Sequence, residues 1–588
     1  MKYKKYFAIL SILMFIFFGY SFHVNAEYIS SKINFNDIND NSTNIELILE
    51  LDYEAEIDYN LRSAYEEQKI TWDYYKNNIV DYFQYQNSKL LNSYDFSSYN
   101  ISISNFSPYA FIKFNNYEDY ISKIYNLILT VESCEYIKYG ELHSIIYDSE
   151  ECFEETTRSN SYSFTQAFND MGIINSNYTG NGINIGIIDA SNINNPMNFD
   201  YSLITNYGTS SSGQNHANIV STIIGGYYGI APDAHLFCIN YNSFGGSAID
   251  AFEYSLNNYN IDIYNLSIGW GNSGHYDMFC KYFDYVAYST LKTIVKSSGN
   301  NNQYISTPGL AMNILTVINV DSNLEVSLSS GSDSLDSFSY KPDMSAPGVS
   351  LIIPNIGTFT GTSLAAPMVT GVCALLMEEF SILKTKNNLL KTILHCGCTQ
   401  LPSQSNFYDT HSGFGLVNYS NSRNYLLNNQ YGNYILFPNI SSNYTLMVQN
   451  ITIPSNKSIQ VTTHWLVISY CTSSQASANP TTPSFSTVSI KLYDISSGNY
   501  VATNLINSNM NFLTYKNQSS INKSYRLEFV LASQSFIYGG AHYSYEIGWK
   551  KWKRHFLHYY SYYVSSSFLH VKMSLCMKNI ITNSISVI

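Results

Sequence analysis

The feature that most constrains the fold is a series of short apolar runs in the middle of the chain, separated by helix-like segments and Gly-rich turns. Several runs are almost continuously Ile, Val and Leu, a composition typical of strands buried on both faces. Their alternation with helices predicts an α/β fold with a mostly parallel sheet flanked by helices, and we expect this domain to cover residues 158–430. The strand candidates are residues 183–188, 236–240, 261–266, 293–296 and 314–320.

The segments on either side of this region have different patterns. Residues 27–157 mix strand-like and helix-like stretches, which predicts a small α+β domain. We expect strands at 44–52, 109–114 and 136–147, and helices at 65–91 and 116–128. The last part, residues 148–155, is acidic and irregular, and is expected to be an exposed linker. Residues 431–548 contain strand-like runs between turn residues and no helical pattern, which predicts an all-β sandwich-like domain.

The N-terminal 26 residues have the pattern of an export signal. Lys2, Lys4 and Lys5 precede an apolar run over residues 6–20, and Val24-Asn25-Ala26 offers small residues for a signal peptidase. We interpret residues 1–26 as a signal peptide; the alternative is an uncleaved membrane anchor. No later stretch of sequence is long and apolar enough to span a membrane. We therefore expect an exported product, secreted or associated with the cell surface.

The last segment, residues 549–588, carries basic charges and no acidic residue. We interpret this basic, aromatic tail as an extension of unknown role. The alternative is a tether to an anionic cell envelope.

Charge and cysteine content exclude several classes of protein. The chain has 31 Lys plus Arg against 44 Asp plus Glu, a net charge of -13, which argues against nucleic acid as a partner. Its 9 cysteines form no CxxC pair or close-spaced framework, so neither a disulfide scaffold nor an evident zinc site is expected. We assign no function to the 54 tyrosines.

Three islands in the α/β region carry residues suited to catalysis. Asp189 ends the apolar run Ile185-Gly186-Ile187-Ile188, at the edge of the sheet where open α/β folds collect functional groups. His216 opens a helix-like segment, and Ser363 precedes another. Taken singly, such residues are more often helix caps or ordinary core and surface residues. In the chain order Asp, His, Ser they match one known arrangement of a catalytic triad.

The residues around these islands resemble the subtilase family of serine proteases. Gly361-Thr362-Ser363-Leu364-Ala365-Ala366-Pro367 closely resembles the family's serine motif, Gly-Thr-Ser-Met-Ala-Ala-Pro, with Leu replacing Met. The resemblance extends over Lys341-Pro342-Asp343-Met344-Ser345-Ala346-Pro347-Gly348, Asn265-Leu266-Ser267-Ile268-Gly269 and Ser298-Gly299-Asn300. It covers about 270 residues, the size of one domain.

The resemblance implies a role for each candidate residue. Ser363 would be the nucleophile, His216 the general base and then acid, and Asp189 the carboxylate that orients the imidazole. Asn300 and the backbone N–H of Ser363 would bind the oxyanion of the tetrahedral intermediate. This chemistry requires no cofactor. Structural calcium is common in the family, but its ligands have no readable spacing, so the metal ligands remain unknown.

Substrate-binding segments follow from the same resemblance. Ser267, Ile268 and Gly269 match the strand that pairs with the substrate backbone, and Gly245 and Gly246 lie where a second strand should run. Ser297, Ser298 and Gly299 would line the pocket for the side chain before the scissile bond. These segments contain no carboxylate, so a strict preference for basic side chains is not expected.

Three departures from the family pattern stand near these sites. The usual His-Gly-Thr-His-Val reads His216-Ala217-Asn218-Ile219-Val220, Ser191 replaces a Gly after the aspartate, and Lys296 stands where a small residue is common. No catalytic group is replaced.

These observations predict a secreted serine endopeptidase made as a zymogen. Residues 27–157 have the size and pattern of the propeptides that inhibit subtilases, and processing is expected within 148–155 or at Arg158. Protein or peptide substrates and the chain's own propeptide are the expected partners. The alternative is a catalytically silent subtilase scaffold that acts as a surface-binding protein through its β-sandwich.

Overall fold

The computed structural model describes three domains and the strands that join them. The described residues are 32–35, 38, 42, 45–52, 57–144, 147–149, 153–154, 161–173, 176–195, 197–209, 215–271, 274–436, 442–467, 486–533 and 539–547. The expected signal peptide and the basic tail lie outside the described residues. Within the described part of the chain, no helix combines the length and the apolar character needed to cross a membrane.

The N-terminal domain is a five-stranded sheet in the order β1-β5-β2-β4-β3, with three helices. The strands are β1 (Ile33–Phe35), β2 (Ile45–Leu51), β3 (Asn100–Ile103), β4 (Tyr109–Phe114) and β5 (Ile137–Ser144). The helices are α1 (Tyr59–Glu66), α2 (Trp72–Ser93) and α3 (Tyr117–Ser133). One helix was predicted where α1 and α2 lie. The chain turns between them through Gln68, whose φ is 56°, and Thr71 caps α2 by accepting the N–H of Tyr74.

The middle domain contains a seven-stranded, all-parallel sheet in the order β15-β14-β13-β11-β8-β10-β9. Its strands are β8 (Asn184–Asp189), β9 (Ile204–Tyr207), β10 (His235–Asn240), β11 (Ile263–Leu266), β13 (Thr293–Ser297), β14 (Leu315–Val320) and β15 (Met344–Pro347). Three short strands lie outside this sheet: β12 (Ile268–Trp270), β16 (Leu351–Ile353) and β17 (Gly357–Thr360). The helices are α4 (Phe164–Asp170), α5 (His216–Ile224), α6 (Ala248–Asn258), α7 (Met278–Thr290), α8 (Thr362–Glu379), α9 (Asn387–Gly397) and α10 (Tyr419–Leu427). The prediction of a parallel sheet flanked by helices is confirmed.

The C-terminal domain consists of two four-stranded antiparallel sheets. One has the order β18-β25-β20-β23 and the other β19-β24-β21-β22. The strands are β18 (Tyr431–Leu436), β19 (Thr445–Ile453), β20 (Ser458–Trp465), β21 (Thr487–Asp494), β22 (Asn499–Asn504), β23 (Met510–Lys516), β24 (Lys523–Ser533) and β25 (Gly539–Ile547). Strands β20 and β25 pack on α9 of the middle domain. The all-β prediction for this region is confirmed.

The N-terminal domain packs on α6 and α7 of the middle domain. Its aromatic residues share one hydrophobic core with both helices. Ion pairs join β2 and β4 to the helices, with the Nζ of Lys281 3.3 Å from Glu50 and Lys113 bonded to Asp250. Because these charges and apolar side chains are mutually covered, the interface is an extensive docking surface.

The prediction of an exposed linker over 148–155 is wrong for its described residues. Strand β6 (Tyr147–Ser149) pairs antiparallel with β12, and β7 (Phe153–Glu154) pairs antiparallel with β17. The acidic composition indicated a loop, but backbone pairing depends little on side-chain charge, and both partner strands lie more than 100 residues further along the chain. The segment after the N-terminal domain is therefore held by two strands of the middle domain.

Candidate active site

Asp189 and His216 meet at the carboxyl edge of the parallel sheet. Asp189 is the last residue of β8 and only 1% exposed, and His216 is the first residue of α5. The Nδ1 atom of His216 lies 2.7 Å from Oδ2 of Asp189. A carboxylate at this nitrogen fixes the ring orientation and leaves Nε2 as the position for proton transfer.

Ser191 connects this carboxylate to the start of α5. Its hydroxyl and backbone N–H each donate to Oδ1 of Asp189 over 3.2 Å, and the hydroxyl accepts the N–H of Ala217 over 3.1 Å. In the sequence, Ser191 is conspicuous only as the replacement of a glycine. A hydroxyl two residues after a buried carboxylate can satisfy the second carboxylate oxygen, and this spacing is the signal for its role.

Asn218 is a second residue whose role was missed. Its Oδ1 accepts the backbone N–H groups of Asn194 and Asn195 over 2.8 and 3.1 Å, and its Nδ2 donates to Asn215 over 2.8 Å. The side chain thus ties the loop after β8 to the first turn of the helix that carries His216.

Ser363 lies at the amino end of α8, which packs against α5. The residue is fully buried, and its Oγ makes no hydrogen bond within the described part of the chain. The hydroxyl of Ser267 donates to the carbonyl oxygen of Ser363 over 3.0 Å. At this end of a helix the backbone N–H groups lack intrahelical partners, so they favour negative charge near Ser363.

Asn300 is oriented by the residue before the serine. Its Oδ1 accepts the backbone N–H of Thr362 over 2.9 Å and the Thr362 hydroxyl over 3.1 Å. Gly299 donates its N–H to the same hydroxyl over 3.1 Å. Since the oxygen of the amide faces Thr362, its NH₂ group faces the opposite way as a donor.

Most of the remaining predicted binding residues lie in two neighbouring segments, 267–269 and 297–299. Strand β12 contains Ile268 and Gly269, which lie opposite Ser149 and Asp148 in the antiparallel pair with β6. On the neighbouring strand end, Ser297 donates its hydroxyl to the carbonyl oxygen of Leu266 over 3.3 Å. The segments 267–269 and 297–299 therefore stand side by side.

Comparison with known proteins decides the family of the middle domain. Residues 153–416 match the profile of the Subtilase family, Peptidase S8. This segment is a subtilase domain. Subtilisin DY of Bacillus licheniformis is 27% identical over 269 residues, which are 41% of this chain and 90% of that protein. An alkaline proteinase of Hapsidospora chrysogena is 28% identical over 218 residues, 33% of this chain and 51% of that protein. The chain thus spans about half the length of the latter relative.

Solved structures resemble the chain as well. Fervidolysin from Fervidobacterium pennivorans, a keratinolytic enzyme related to subtilisin, aligns with 88% of this chain and 94% of its own at 13% identity and a TM-score of 0.44. The prenylagaramide maturation protease PagA aligns with 41% of this chain and 92% of its own at 20% identity and a TM-score of 0.34.

One prediction for the subtilase domain is wrong in part. Gly245 and Gly246 do not form a strand: they follow a 3-10 turn, have φ values of 66° and 86°, and lead into α6 through its cap, Ser247. Left-handed backbone at two successive residues is incompatible with an extended strand. A contact of these glycines with substrate stays a prediction.

A buried thiol lies next to Ser191, two residues after Asp189 in the subtilase domain. Cys238 on β10 donates from Sγ to the carbonyl oxygen of Ser191 over 3.3 Å. Burial, with a contribution from the charge of Asp189, raises the pKa of the Cys238 thiol well above its usual range. The thiol is therefore neutral and acts as a packing group. In the described part of the chain, no group of three or more His, Cys, Asp or Glu side chains is placed to hold a metal ion.

Proposed function

We propose that the chain is a serine endopeptidase that hydrolyses peptide bonds of proteins with Asp189, His216 and Ser363. The observation that carries this proposal is the 2.7 Å contact between Asp189 and His216, at the end of a helix that packs against the helix of Ser363. The subtilase identity of the domain supports the same chemistry.

In the proposed reaction, Oγ of Ser363 attacks the carbonyl carbon of the substrate while Nε2 of His216 takes the hydroxyl proton. Asp189 stabilises the imidazolium that results. His216 then gives the proton to the amide nitrogen as the C–N bond breaks, which releases the amine and leaves an ester on Ser363. Water attacks this ester, gives one proton to His216, and releases the carboxylic acid as that proton returns to Ser363.

Negative charge on the former carbonyl oxygen needs donors that are already in place. The NH₂ group of Asn300 and the backbone N–H of Ser363 are the proposed donors. The hydrogen bonds from Thr362 to Oδ1 of Asn300 support this role, because they hold the amide in one orientation. Calcium is proposed only as a structural ion.

We also propose that the N-terminal domain is an inhibitory propeptide within a zymogen. Two observations support this proposal. Strand β6 occupies the edge of β12 that an extended substrate would use, and β7 pairs with β17, which ends three residues before Ser363. The peptide bonds between Ser149 and Phe153 join these two strands, so we place processing within this interval. Export to the cell exterior through residues 1–26 is part of the same proposal.

Labelling with a serine-directed fluorophosphonate tests the catalytic proposal. We expect the exported chain to be labelled after processing, and the Ser363→Ala variant to remain unlabelled and unprocessed. A processed chain that is not labelled would favour the silent scaffold with a binding role for the β-sandwich. Labelling that survives in Ser363→Ala would exclude Ser363 as the nucleophile.

A further inference from the structure

Two buried histidines meet where the subtilase domain contacts the C-terminal domain. His395 lies on α9 and His464 on β20, and strands β20 and β25 pack on this helix. Nδ1 of His395 lies 2.8 Å from Nε2 of His464, and the two residues are 0% and 1% exposed. Because one ring belongs to each domain, this contact exists only while the two domains are joined.

The partners of the two rings define which nitrogen atoms carry protons. Nε2 of His395 lies 3.0 Å from Oδ1 of Asp343, so the proton of a neutral His395 belongs on Nε2, between the two atoms. Nδ1 of this ring is then unprotonated and accepts the Nε2–H of His464. Nδ1 of His464 is left without a proton, and within the described part of the chain it makes no hydrogen bond. The arrangement is therefore complete with both rings neutral.

The charges around the two rings oppose a further positive charge. Asp343 lies 2.5 Å from the Nζ of Lys341 and 2.8 Å from that of Lys391, so one carboxylate already faces two ammonium groups. Burial lowers the pKa of His395 to about 4, although Asp343 opposes this shift. Burial, together with the charges of His395 and Lys391, holds the pKa of His464 well below its usual range. A proton bound by either ring is therefore unfavourable in the joined domains.

The next carboxyl group supplies no counter-charge in acid. Asp284 on α7 acts on Lys341 through its charge. Burial raises the pKa of Asp284 from 3.8 to about 6, so this group loses its charge over the pH range in which an ordinary histidine gains one. Acidification therefore removes negative charge from the surroundings of the cluster.

The other neighbours of the two rings include one more titratable residue. Phe414 stacks on the His395 ring, with the ring centroids 4.3 Å apart. In the sheet of the C-terminal domain, His464 lies opposite Met510 on β23 and opposite His542 on β25. Phenylalanine and methionine carry no charge, so His542 is the residue at this register position whose contribution must be separated by experiment.

We propose that His395 and His464 form an acid-sensitive latch, which joins the C-terminal domain to the subtilase domain at neutral pH and releases it when the medium is acidified. Separation of the domains lets water reach both rings, and a hydrated histidine has a pKa of about 6.5. Because the separated state binds protons more tightly than the joined state, the joined state loses stability as the pH falls below about 6.5. This inference concerns the arrangement of the domains and does not depend on the proposed peptidase function.

A reciprocal pair of hydrogen bonds across the same interface provides a reporter. Val467, two residues after β20, donates its N–H to Oδ1 of Asn313 over 2.9 Å, and Nδ2 of Asn313 donates to the carbonyl oxygen of Val467 over 2.7 Å. Hydrogen exchange at the Val467 amide therefore measures separation of the domains. The amides of Ser298 and Asn517 donate within the subtilase domain and within the C-terminal domain, over 2.9 and 2.8 Å, and measure unfolding of each domain.

Exchange is measured in the full chain with Ser363→Ala, so that the chain stays intact. With rates corrected for the intrinsic pH dependence of amide exchange, protection of Val467 should fall by about tenfold or more between about pH 7.5 and about pH 5. Protection of Ser298 and Asn517 should change much less. Unchanged protection of Val467 would overturn the latch. An equal fall at all three amides would overturn it as well, because the chain would then unfold as a whole.

Glutamine at both histidine positions removes the titration and keeps a polar side chain. The Nε2 atom of Gln can donate a hydrogen bond as Nε2 of His does, but the amide binds no proton in this pH range. In the variant with both His395→Gln and His464→Gln, protection of Val467 should lose most of its pH dependence, and each single substitution should remove part of it. The control is His275→Gln, which replaces a histidine whose side chain is 57% exposed and should keep the full dependence.

One further variant separates the two histidines from His542. A flat pH profile in His542→Gln, with an unchanged profile in the variant of His395 and His464, would assign the effect to His542 and overturn the latch. If the double variant does not fold, the comparison of Val467 with Ser298 and Asn517 in the chain with its native histidines still decides between separation of the domains and global unfolding.

Discussion

The hydroxyl of Ser191 donates to Oδ1 of Asp189 over 3.2 Å and accepts the N–H of Ala217 over 3.1 Å, so one side chain fixes both the carboxylate and the helix of its histidine partner. The opposite carboxylate oxygen contacts His216. The buried aspartate is therefore held from both sides, and the geometry of the pair depends on a residue that does not touch the substrate.

Removing this hydroxyl should weaken catalysis without abolishing it. A hydrogen bond to a charged group is worth about 1.5–3 kcal/mol, so we expect kcat of Ser191→Ala to fall by about tenfold or more with little change in KM. The pH dependence of kcat should shift as well, because Asp189 stabilises the imidazolium less well. Ser122→Ala, which removes an exposed hydroxyl bonded to the carbonyl oxygen of Asp119, is the control. An unchanged pH profile in Ser191→Ala would refute the positioning role.

Replacing Asn300 should affect the transition state and not the binding of substrate. Loss of one oxyanion donor in a serine protease typically lowers kcat by about 10²–10³-fold. We expect Asn300→Ala to show this loss in steady-state kinetics and to be labelled slowly by fluorophosphonate. A rise in KM at constant kcat would contradict the assignment of Asn300 as an oxyanion donor.

Docking of the N-terminal domain should weaken as pH rises. Glu253 on α6 accepts the Ser104 hydroxyl over 2.5 Å and the Tyr282 hydroxyl over 2.8 Å, and its removal from water raises its pKa from 4.5 to about 7. The neighbouring charge of Asp250, which pairs with Lys113, also opposes its ionisation. Because the docked carboxyl binds its proton more tightly than an exposed one, the docked state is most stable below about pH 4.5 and loses stability up to about pH 7.

Hydrogen exchange in the unprocessed Ser363→Ala chain measures this effect. Protection of amides at the interface, such as that of Asn105, which donates to Glu253, should fall by about 1–3 kcal/mol between pH 4.5 and 7.5. In the double variant Glu253→Gln, Ser363→Ala, the protection of these amides should depend less on pH. This comparison uses exchange rates corrected for the intrinsic pH dependence of amide exchange. The same slope in both chains would show that another group is responsible.

A buried charge cluster should be essential for the stability of the subtilase domain. Asp343 lies 2.5 Å from the Nζ of Lys341, 2.8 Å from that of Lys391, and 3.0 Å from Nε2 of His395. Burial opposes ionisation of Asp343, but the two ammonium groups and His395 hold its pKa well below the usual range. Asp343→Asn leaves buried positive charge without its counterion and should cost about 3–5 kcal/mol of unfolding free energy.

Denaturant unfolding of the full chain gives this comparison. The control is Asp119→Asn, which breaks the partly exposed pair of Asp119 with Lys123, 2.7 Å apart, and should cost less than about 1 kcal/mol. Equal losses in the two variants would show that the cluster does not stabilise the domain.

The cluster continues into the C-terminal domain, because Nδ1 of His395 lies 2.8 Å from Nε2 of His464 on β20. We therefore expect the C-terminal domain to unfold together with the subtilase domain.

The parallel sheet could be predicted because its strands are buried on both faces and are therefore rich in Ile, Val and Leu. Strand β14, for example, is buried at every position, and four of its six residues are Leu, Val or Ile. The candidate triad could be proposed because its residues stand in motifs with a fixed order. Strands β6 and β7 could not be found, because a short edge strand is defined by a distant partner and not by its own composition.

The contacts of Ser191, Asn218 and Lys296 were hidden for a related reason. Each of these residues departs from the family pattern. The sequence alone shows the replacement but not which other residue the new side chain contacts. The contacts of Ser191 with Asp189 and of Lys296 with Ser306 depend on residues that lie beside them only after folding. Long-range pairing of polar side chains has no periodicity that a sequence pattern could display.

The buried face of α7 explains how a precursor could lose its N-terminal domain without exposing an aggregation-prone apolar surface. Tyr282, Tyr285 and Tyr288 on this helix are buried against the N-terminal domain, where Phe111 and Phe83 pack edge-on against the first two rings and Arg62 lies over the third. A tyrosine contributes a large apolar ring in contact and a hydroxyl that water can hydrate after separation. Once the N-terminal domain departs, this helix would present phenols to solvent instead of a bare aliphatic patch. Three of the 54 tyrosines of the chain would then have a role in keeping this surface hydrated.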